Sequence, residues 1–395
     1  MSPESQKNLF IIGGEESGDL HGSALLRELK EVMPGVRFEG MGGARMREAG
    51  LIGLDSKEVS VVGIVEIAEK LPALWKSYQS LKKRLARGGF DAAILIDFPD
   101  FNLRIAAEAG RLGIPVIYYI SPQVWAWRKG RIKTIARLVK KMLVVFPFEE
   151  ALYRKAGVDC EYVGHPLVDI AHTNLTKAEA RRSLGIEADS TVVALLPGSR
   201  PGEVRRILGV MLEAASLVKK RAGKKIVFLL PAASSIDDSF LGEFLKESAV
   251  DARVVRNAAS TALRAADAAA VTSGTATLEA AIIGTPMVIV YRMSPVSFVI
   301  GKLLVAGGVV GLPNIVAGRL IVPELLQWRA TPANIADEIF SILTDRRRSD
   351  AMVRGFEEVR AALGPGGAAR RAALAVKKAI GNGDAPPLAG EDAGR

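Results

Sequence analysis

The chain has 395 residues, a length that predicts two or three folded domains. Of these residues 49% are hydrophobic and 24% charged, which excludes a wholly disordered protein. A single cysteine, Cys160, and three histidines without H-E-x-x-H spacing exclude a disulfide framework and disfavour a zinc site, so we expect no metal and no cofactor. The net charge of +10 favours anionic partners such as a nucleotide, a phosphorylated substrate or an acidic lipid. Nucleic acid is disfavoured because no aromatic RNA-binding module accompanies the basic segment 128–141.

Apolar runs of strand length alternate with helical patterns along the chain. Continuous apolar runs that end on Gly, Pro, Ser or Asp are typical of buried parallel strands in an α/β fold. The predicted strands are Leu9–Gly13, Ala92–Ile96, Val116–Ile120, Met142–Phe146, Thr191–Leu196, Ile226–Leu230, Ala268–Thr272 and Met287–Tyr291. Ligands in such folds bind beyond the carboxyl ends of the strands, where the polar motifs of this chain fall.

The periodicity lapses from Val163 to Thr176, and we place a hinge between two domains near residues 166–190. The predicted organisation is an amino-terminal domain at 1–175, a second domain at 185–345, helices at 346–380 that could cross back to the first domain, and a disordered Gly- and Pro-rich tail at 381–395. The polar start and the lone thiol indicate a cytoplasmic protein. The sequence contains no uncharged run of 18 or more apolar residues, so we expect no membrane-spanning helix.

A glycine-rich turn at 13–22 follows the first predicted strand and carries Glu15 and Ser17. Its glycines allow a substrate to approach the backbone, but their spacing is not that of a dinucleotide-binding loop. Binding of a sugar or phosphate acceptor and a purely structural turn are both compatible with this pattern.

The segment 64–85 repeats apolar residues at helical spacing among lysines and arginines, with Pro72 suited to begin a second helix. Such a cationic, amphipathic helix pair can lie on an anionic membrane surface, while a core-facing pair with solvated lysines is the alternative. The membrane-contact candidates are Val65, Ile67, Leu71, Leu74 and Trp75.

An acid, Asp97, directly follows the predicted strand Ala92–Ile96. A carboxyl group at a strand end in a half-buried cleft can have a raised pKa and act as a general base. Asp100 and Asn102 follow it, and for Asp100 a helix cap is the favoured interpretation.

Two turns of the second half, 197–203 and 273–279, each join a predicted strand to a helix. Free backbone N–H groups at a helix start form an anion site, which Ser199, Ser273, Gly274 and Thr275 could extend to a diphosphate. Arg200 has the fork geometry that matches phosphate. Ordinary helix caps and a surface pair of Arg200 with Glu203 are the structural alternatives.

Together these motifs resemble the lipid-A-disaccharide synthase family, a glycosyltransferase family of the GT-B type. The matching pieces occur in order over residues 9–330 and include G-E-E-S-G-D-L-H-G at 14–22, I-D-F-P-D-F-N at 96–102, S-P-Q-V-W-A-W-R at 121–128, L-L-P-G-S-R at 195–200, S-G-T-A-T-L-E at 273–279 and L-P-N-I-V-A-G-R at 312–319. Among the departures, Phe98 stands where Ala is common.

The resemblance implies an α/β protein with two Rossmann-like domains facing across a cleft, and an inverting, metal-independent transferase. The donor would be UDP-2,3-diacylglucosamine and the acceptor 2,3-diacylglucosamine 1-phosphate, giving a β-1,6-linked disaccharide 1-phosphate and UDP. Family members are peripheral to the inner membrane, and some pair through exchanged carboxy-terminal segments, so a homodimer is an open expectation.

The resemblance also implies roles for individual residues. Asp97 and Arg200 correspond to residues needed for activity. The expected acceptor contacts are Glu15, Ser17, Asp100 and Asn102. The expected UDP contacts are Ser199, Arg200, Ser273, Gly274, Thr275, Glu279, Asn314 and Gln327.

Three other functions remain compatible with the sequence. A UDP-N-acetylglucosamine 2-epimerase and a lipid-linked glycosyltransferase of peptidoglycan synthesis share the GT-B type. A UDP-sensing or membrane-docking protein without turnover belongs to a different class.

Overall fold

The computed structural model describes residues 6–56, 64–122, 124, 130–171, 173–223, 225–233, 235–292 and 309–381, with the backbone alone at 64–71. The chain forms two compact units. The first contains the residues up to 166 together with the helix Ala368–Gly381, and the second contains residues 167–365.

The first unit is built on a parallel sheet of seven strands within the described residues. The strands are β1 Asn8–Gly13, β2 Arg37–Gly42, β3 Leu51–Asp55, β4 Ala92–Ile96, β5 Val116–Tyr119, β6 Lys141–Val144 and β7 Cys160–Tyr162. Their spatial order is β3-β2-β1-β4-β5-β6-β7, so the direction of winding reverses between β1 and β4. Ligands of open α/β sheets bind at such a switch point, beyond the carboxyl ends of the strands.

Helices cover the sheet of the first unit because its central strands are apolar on both faces. The helices are α1 Glu16–Val32, α2 Ala44–Glu48, α3 Ile64–Ala86, α4 Pro99–Arg111, α5 Arg131–Leu138 and α6 Pro147–Lys155. Phe10 and Ile12 of β1, Leu95 of β4 and Tyr118 of β5 are fully buried and form the centre of one hydrophobic core.

The second unit repeats this plan with six parallel strands within the described residues. They are β8 Thr191–Leu196, β9 Ile226–Ala232, β10 Ala252–Arg256, β11 Ala268–Thr272, β12 Met287–Tyr291 and β13 Glu324–Leu326. The order is β10-β9-β8-β11-β12-β13, which places the switch point between β8 and β11. This is the strand order of a Rossmann fold.

The helices of the second unit connect its strands and cover both faces of the sheet. They are α7 Leu167–Ile170, α8 Lys177–Ser183, α9 Pro201–Ala222, α10 Asp238–Lys246, α11 Ala259–Ala265, α12 Thr275–Ile283, α13 Leu312–Ala317, α14 Pro332–Thr344 and α15 Arg346–Ala362, with a 3₁₀ turn at Gln327–Arg329.

The last helix, α16 Ala368–Gly381, follows the second unit in sequence but packs on α1 of the first. Arg370 forms an ion pair with Glu28 at 3.1 Å, and the Lys377 ammonium donates to the carbonyl of Val32 at 2.8 Å. The Arg371 guanidinium donates to the carbonyl of Val163 at 2.8 Å. These polar contacts surround a small-residue face of α16 whose alanines are buried.

All eight predicted strands are present, and four have the predicted bounds: β4, β8, β11 and β12. The helix pair predicted around Pro72 is wrong, because α3 is one helix of 23 residues with Pro72 inside it. The first residue of the predicted tail, Gly381, is the last residue of α16, and residues 382–395 lie outside the described part of the chain. Among the helices described, none is both long and apolar enough to cross a membrane.

Candidate active site

The loops after β1 and β4 meet at the switch point of the first unit. A Cβ atom added to Gly14 would lie 2.3 Å from the Phe98 ring, so only glycine allows this close approach. Glu15 occupies the position before α1 and is half-buried, as is Ser17 in the first turn. The two loops therefore bring Glu15, Ser17 and Asp97 to one edge of the sheet.

The turn that carries Asp97 has a strained backbone. Asp97 and Phe98 both have φ of 47°, in the left-handed region that non-glycine residues rarely adopt. Such conformations cost of order 1–3 kcal/mol each and persist only where the surroundings enforce them. The strain fixes the direction in which the half-buried Asp97 side chain leaves the end of β4.

Two side chains clamp this turn through the Asp97 carbonyl. The Tyr118 hydroxyl donates to it at 2.5 Å and the Asn102 amide donates to it at 2.7 Å, while the same amide also donates to the Ile96 carbonyl at 3.1 Å. Burial, and after it the nearby charge of Asp97, raise the pKa of Tyr118, which therefore keeps its proton to donate. Both donors bind the main-chain carbonyl of Asp97, so these hydrogen bonds hold the turn without using its carboxylate.

Asp100 lies one turn further on, at the start of α4, and is exposed. Its carboxylate forms an ion pair with Arg131 of α5. Since an acid in the first turn is favoured by the helix dipole, Asp100 also suits its place without a ligand.

The switch point of the second unit joins two helix starts. β8 ends before Gly198, which has φ of 113°, and Arg200 occupies the N-cap position of α9. Ser199 and Arg200 are exposed, and the Arg200 guanidinium lies 3.4 Å from the Glu203 carboxylate. An exposed pair of this kind contributes little to stability, so the cation can rearrange toward a bound anion at small cost.

The neighbouring strand β11 leads into α12 through Ser273 and Gly274. Gly274 has φ of 146° and its missing side chain would point into open space, so the backbone is accessible to a ligand there. The Ser273 hydroxyl donates to the Val310 carbonyl at 3.3 Å, and Thr275 begins α12 with its side chain exposed. Because β8 and β11 are adjacent and parallel, the starts of α9 and α12 lie at the same sheet edge and offer N–H groups to an anion.

Glu279 lies one turn into α12 and is half-buried. It accepts a hydrogen bond from the Ser260 hydroxyl at 2.7 Å, and burial raises its pKa. Gln327 follows β13 with φ of 53° and begins the 3₁₀ turn.

A family comparison decides the class of this chain. The family model described as lipid-A-disaccharide synthetase matches residues 9–378. The chain belongs to this family. A lipid-A-disaccharide synthase of Syntrophus aciditrophicus is 46% identical to it, over 94% of this chain and 97% of the relative. One of Geobacter metallireducens is 44% identical, over 96% and 99%. The predicted class, a glycosyltransferase of lipid A disaccharide formation, is thereby confirmed.

Solved structures with the same architecture are far more distant in sequence. A UDP-GlcNAc 2-epimerase of Neisseria meningitidis bound to UDP-GlcNAc aligns with a TM-score of 0.66 at 13% identity. The alignment covers 94% of this chain and 100% of the epimerase chain. The MurG protein of Acinetobacter baumannii aligns with a TM-score of 0.54 at 13% identity, covering 94% and 99%. At this identity the likeness shows the fold alone, which is the predicted GT-B fold.

Within this family member, two of the predicted contact residues are buried among backbone groups. Asn102 is 0% exposed and serves the clamp on Asp97. Asn314 is 1% exposed, and its amide oxygen accepts from the backbone N–H groups of Ile321 and Val322 while its NH₂ donates to Glu324 at 2.7 Å. Both side chains hold loops in place, and their contacts with the acceptor and with UDP stay predictions.

Tyr118, which contacts the turn of Asp97, is a residue that the sequence analysis did not single out. It lies in an apolar run and is fully buried, so the pattern indicated only a core residue. Its hydroxyl group could have indicated the contact, because a buried tyrosine needs a hydrogen-bond acceptor. The end of the neighbouring strand β4 supplies that acceptor, the Asp97 carbonyl.

Replacing Asn102 with Ala should weaken the clamp. The change removes two buried hydrogen bonds, at 2.7 and 3.1 Å, and leaves two carbonyls without that donor. We expect the free energy of unfolding in urea to fall by about 2 kcal/mol, and by about 1 kcal/mol in Tyr118→Phe, which removes one donor. An unfolding free energy equal to that of the native chain in both variants would contradict the clamp.

Proposed function

We propose that the protein transfers diacylglucosamine from its UDP conjugate to the 6-hydroxyl of 2,3-diacylglucosamine 1-phosphate, and so forms a β-1,6-linked disaccharide 1-phosphate and UDP. The observation that carries this proposal is Asp97 at the switch point of the first unit, with its main-chain carbonyl held by Tyr118 and Asn102, in a chain of the lipid-A-disaccharide synthase family. A general base held in a fixed direction is what attack by a hydroxyl group requires.

In the proposed reaction the Asp97 carboxylate accepts the proton of the acceptor hydroxyl as its oxygen bonds to the anomeric carbon. The bond from that carbon to the diphosphate oxygen breaks on the opposite side, which inverts the configuration. Glu15 and Ser17, which share the sheet edge with Asp97, are the proposed acceptor contacts. Asn102 positions Asp97 by donating a hydrogen bond to its main-chain carbonyl. Asp100 forms an ion pair with Arg131 and so links the start of α4 to α5.

The second unit binds the donor in this proposal. The starts of α9 and α12, with Ser199, Ser273, Gly274 and Thr275, hold the diphosphate, and Arg200 balances the charge that develops as UDP leaves. Glu279 and Gln327 are the proposed contacts to the nucleoside or sugar. Asn314 supports them by holding the loop that Glu324 also fixes, through the N–H groups of Val310 and Gly311 at 3.0 and 2.8 Å.

Turnover assays separate this function from its alternatives. We expect the purified chain to convert the labelled diacylglucosamine donor and acceptor to a disaccharide with release of UDP. Epimerisation of UDP-N-acetylglucosamine without disaccharide formation would favour the epimerase, and UDP binding without any turnover would favour a sensing protein.

We further propose that the protein is peripheral to the cytoplasmic face of the inner membrane and docks through α3. The support is the exposure of Trp75, which is 58% exposed on a helix that carries Lys76, Lys82 and Lys83. Leu74 beside it is half-buried. The side chains of Val65, Ile67 and Leu71, the other predicted contacts, lie outside the described part of the structure. Acylated substrates favour an enzyme that reaches them at the bilayer surface.

Sedimentation with anionic lipid vesicles tests the docking surface. The double variant Leu71→Ser with Trp75→Ser should reduce the bound fraction at least tenfold, since burial of two large apolar side chains is worth about 3 kcal/mol or more. The matched control is Trp328→Ser, which removes another exposed tryptophan, 68% exposed, from the second unit. Equal binding of the double variant and the native chain would show that the stripe is not the docking surface.

A further inference from the structure

Four aromatic side chains form a continuous row in the first unit, from α3 to the turn of Asp97. The rings of Trp75 and Tyr78 stack with their centroids 5.6 Å apart. Tyr78 meets Phe101 edge to face at 6.2 Å, and Phe101 stacks on Phe98 at 5.3 Å. Phe98 directly follows Asp97, so one end of the row lies beside the proposed base and the other on the proposed membrane helix.

The members of the row differ in exposure. Phe101 is 7% exposed and packs in the core, whereas Tyr78 and Phe98 are half-buried and Trp75 is largely exposed. Phe101 thus supports the row from beneath, and the other three rings present apolar surface to solvent. A row of partly exposed rings is a surface on which another apolar group can pack.

The row is held rigidly at both of its half-buried members. The Tyr78 hydroxyl donates to Glu108 at 3.0 Å, and the same carboxylate oxygen accepts from Lys82 at 3.1 Å. Phe98 is directed by its left-handed backbone and lies over Gly14. A pre-formed surface loses little conformational freedom when an apolar ligand binds to it.

We propose that this row is a binding site for an acyl chain of the acceptor, which lies along the rings from the sugar at Asp97 toward Trp75. The inference rests on the proposed function, because that function puts an acylated sugar beside Asp97 and lipid beside Trp75. The charge pattern agrees with one such occupant: the polar end of the row carries the carboxylate, and the exposed end lies among lysines that suit an anionic bilayer surface. Phe98 directly follows Asp97 in the sequence, so it brings the row to the proposed reacting group.

Acceptors that differ only in chain length test the site. Binding of acetyl, butanoyl and hexanoyl glucosamine 1-phosphates is measured by calorimetry without membrane, detergent or donor. In the native chain we expect the dissociation constant to fall by up to about fourfold for each methylene that becomes buried. In Phe98→Ala and Trp75→Ala the ratio between the acetyl and hexanoyl constants should shrink several-fold.

The matched control is Phe90→Ala. Phe90 is half-buried like Phe98 and packs on Phe10 at 5.3 Å, but it precedes β4 at the opposite edge of the sheet. It should keep the native ratio. If Phe98→Ala or Phe90→Ala fails to fold, Phe98→Leu and Phe90→Leu make the same comparison. Trp75→Ala changes an exposed side chain, so we expect that variant to fold.

A native ratio in both Phe98→Ala and Trp75→Ala would overturn the acyl-chain site. The site is also overturned if these variants lose only vesicle binding, which would make the row a membrane contact. Turnover distinguishes a failure of the proposed function: a native chain that binds the acceptors with a chain-length ratio but forms no disaccharide would retain the site and lose the reaction.

Discussion

Asp97→Asn should lower kcat by about a hundredfold to ten-thousandfold while UDP affinity stays native, because the change removes the proposed base and leaves the second unit untouched. Asparagine is the substitution that isolates the chemistry. It has nearly the same shape as aspartate and tolerates the left-handed φ of 47° at this position, so the clamp of Tyr118 and Asn102 on the residue 97 carbonyl is preserved. Steady-state rates of disaccharide formation and calorimetric titration with UDP measure the two quantities.

A matched control lies at the other end of the same strand. Asp91 precedes β4, pairs with Lys7 at 2.8 Å and accepts from the backbone N–H of Asn8 at 2.8 Å. Asp91→Asn makes the same chemical change far from the switch point, so it should lower stability modestly and keep native kcat. Native kcat in Asp97→Asn would remove the base from the mechanism, and an equal loss of kcat in both variants would point to a disturbed sheet.

The central strands could be predicted from the sequence because their signal is local. β4, β8, β11 and β12 are almost wholly apolar runs, and nearly all of their residues are buried. Five strands escaped this pattern: β2, β3, β7, β10 and β13 are peripheral or short, and they carry charged residues or glycines within them. Their pairing comes from neighbouring strands, which a local pattern does not contain.

The positions of the candidate site residues were predictable where they follow the end of a strand, and less so where they depend on three-dimensional contact. Asp97, Arg200 and Ser273 lie at the two switch points as their motifs indicated. The clamp on Asp97 joins β5 and α4 to the end of β4, so neither Tyr118 nor the burial of Asn102 is visible in a local motif. The structure also shows α3 continuous through Pro72, with Leu81 and Leu85 of the same helix in the core, whereas the local motif indicated a helix start at Pro72.

Arg200→Ala should weaken UDP binding and slow transfer, by about a hundredfold to a thousandfold in kcat, because the variant loses the fixed charge that is proposed to stabilise the leaving diphosphate. The guanidinium is exposed and its ion pair with Glu203, at 3.4 Å, is a weak surface pair, so removing it should cost little stability. The dissociation constant of UDP, kcat and the free energy of unfolding in urea are the three measurements that separate these effects.

Arg200→Lys and Arg205→Ala complete this test. Lysine keeps the charge but loses the planar fork that pairs with two phosphate oxygens, so we expect an intermediate rate. Arg205 lies on the same helix, α9, where its guanidinium is 5.3 Å from the Phe240 ring, and its loss should leave kcat native. If Arg200→Ala binds UDP and turns over like the native chain, the charge of the leaving group is balanced by the helix starts alone, and the part assigned to Arg200 is refuted.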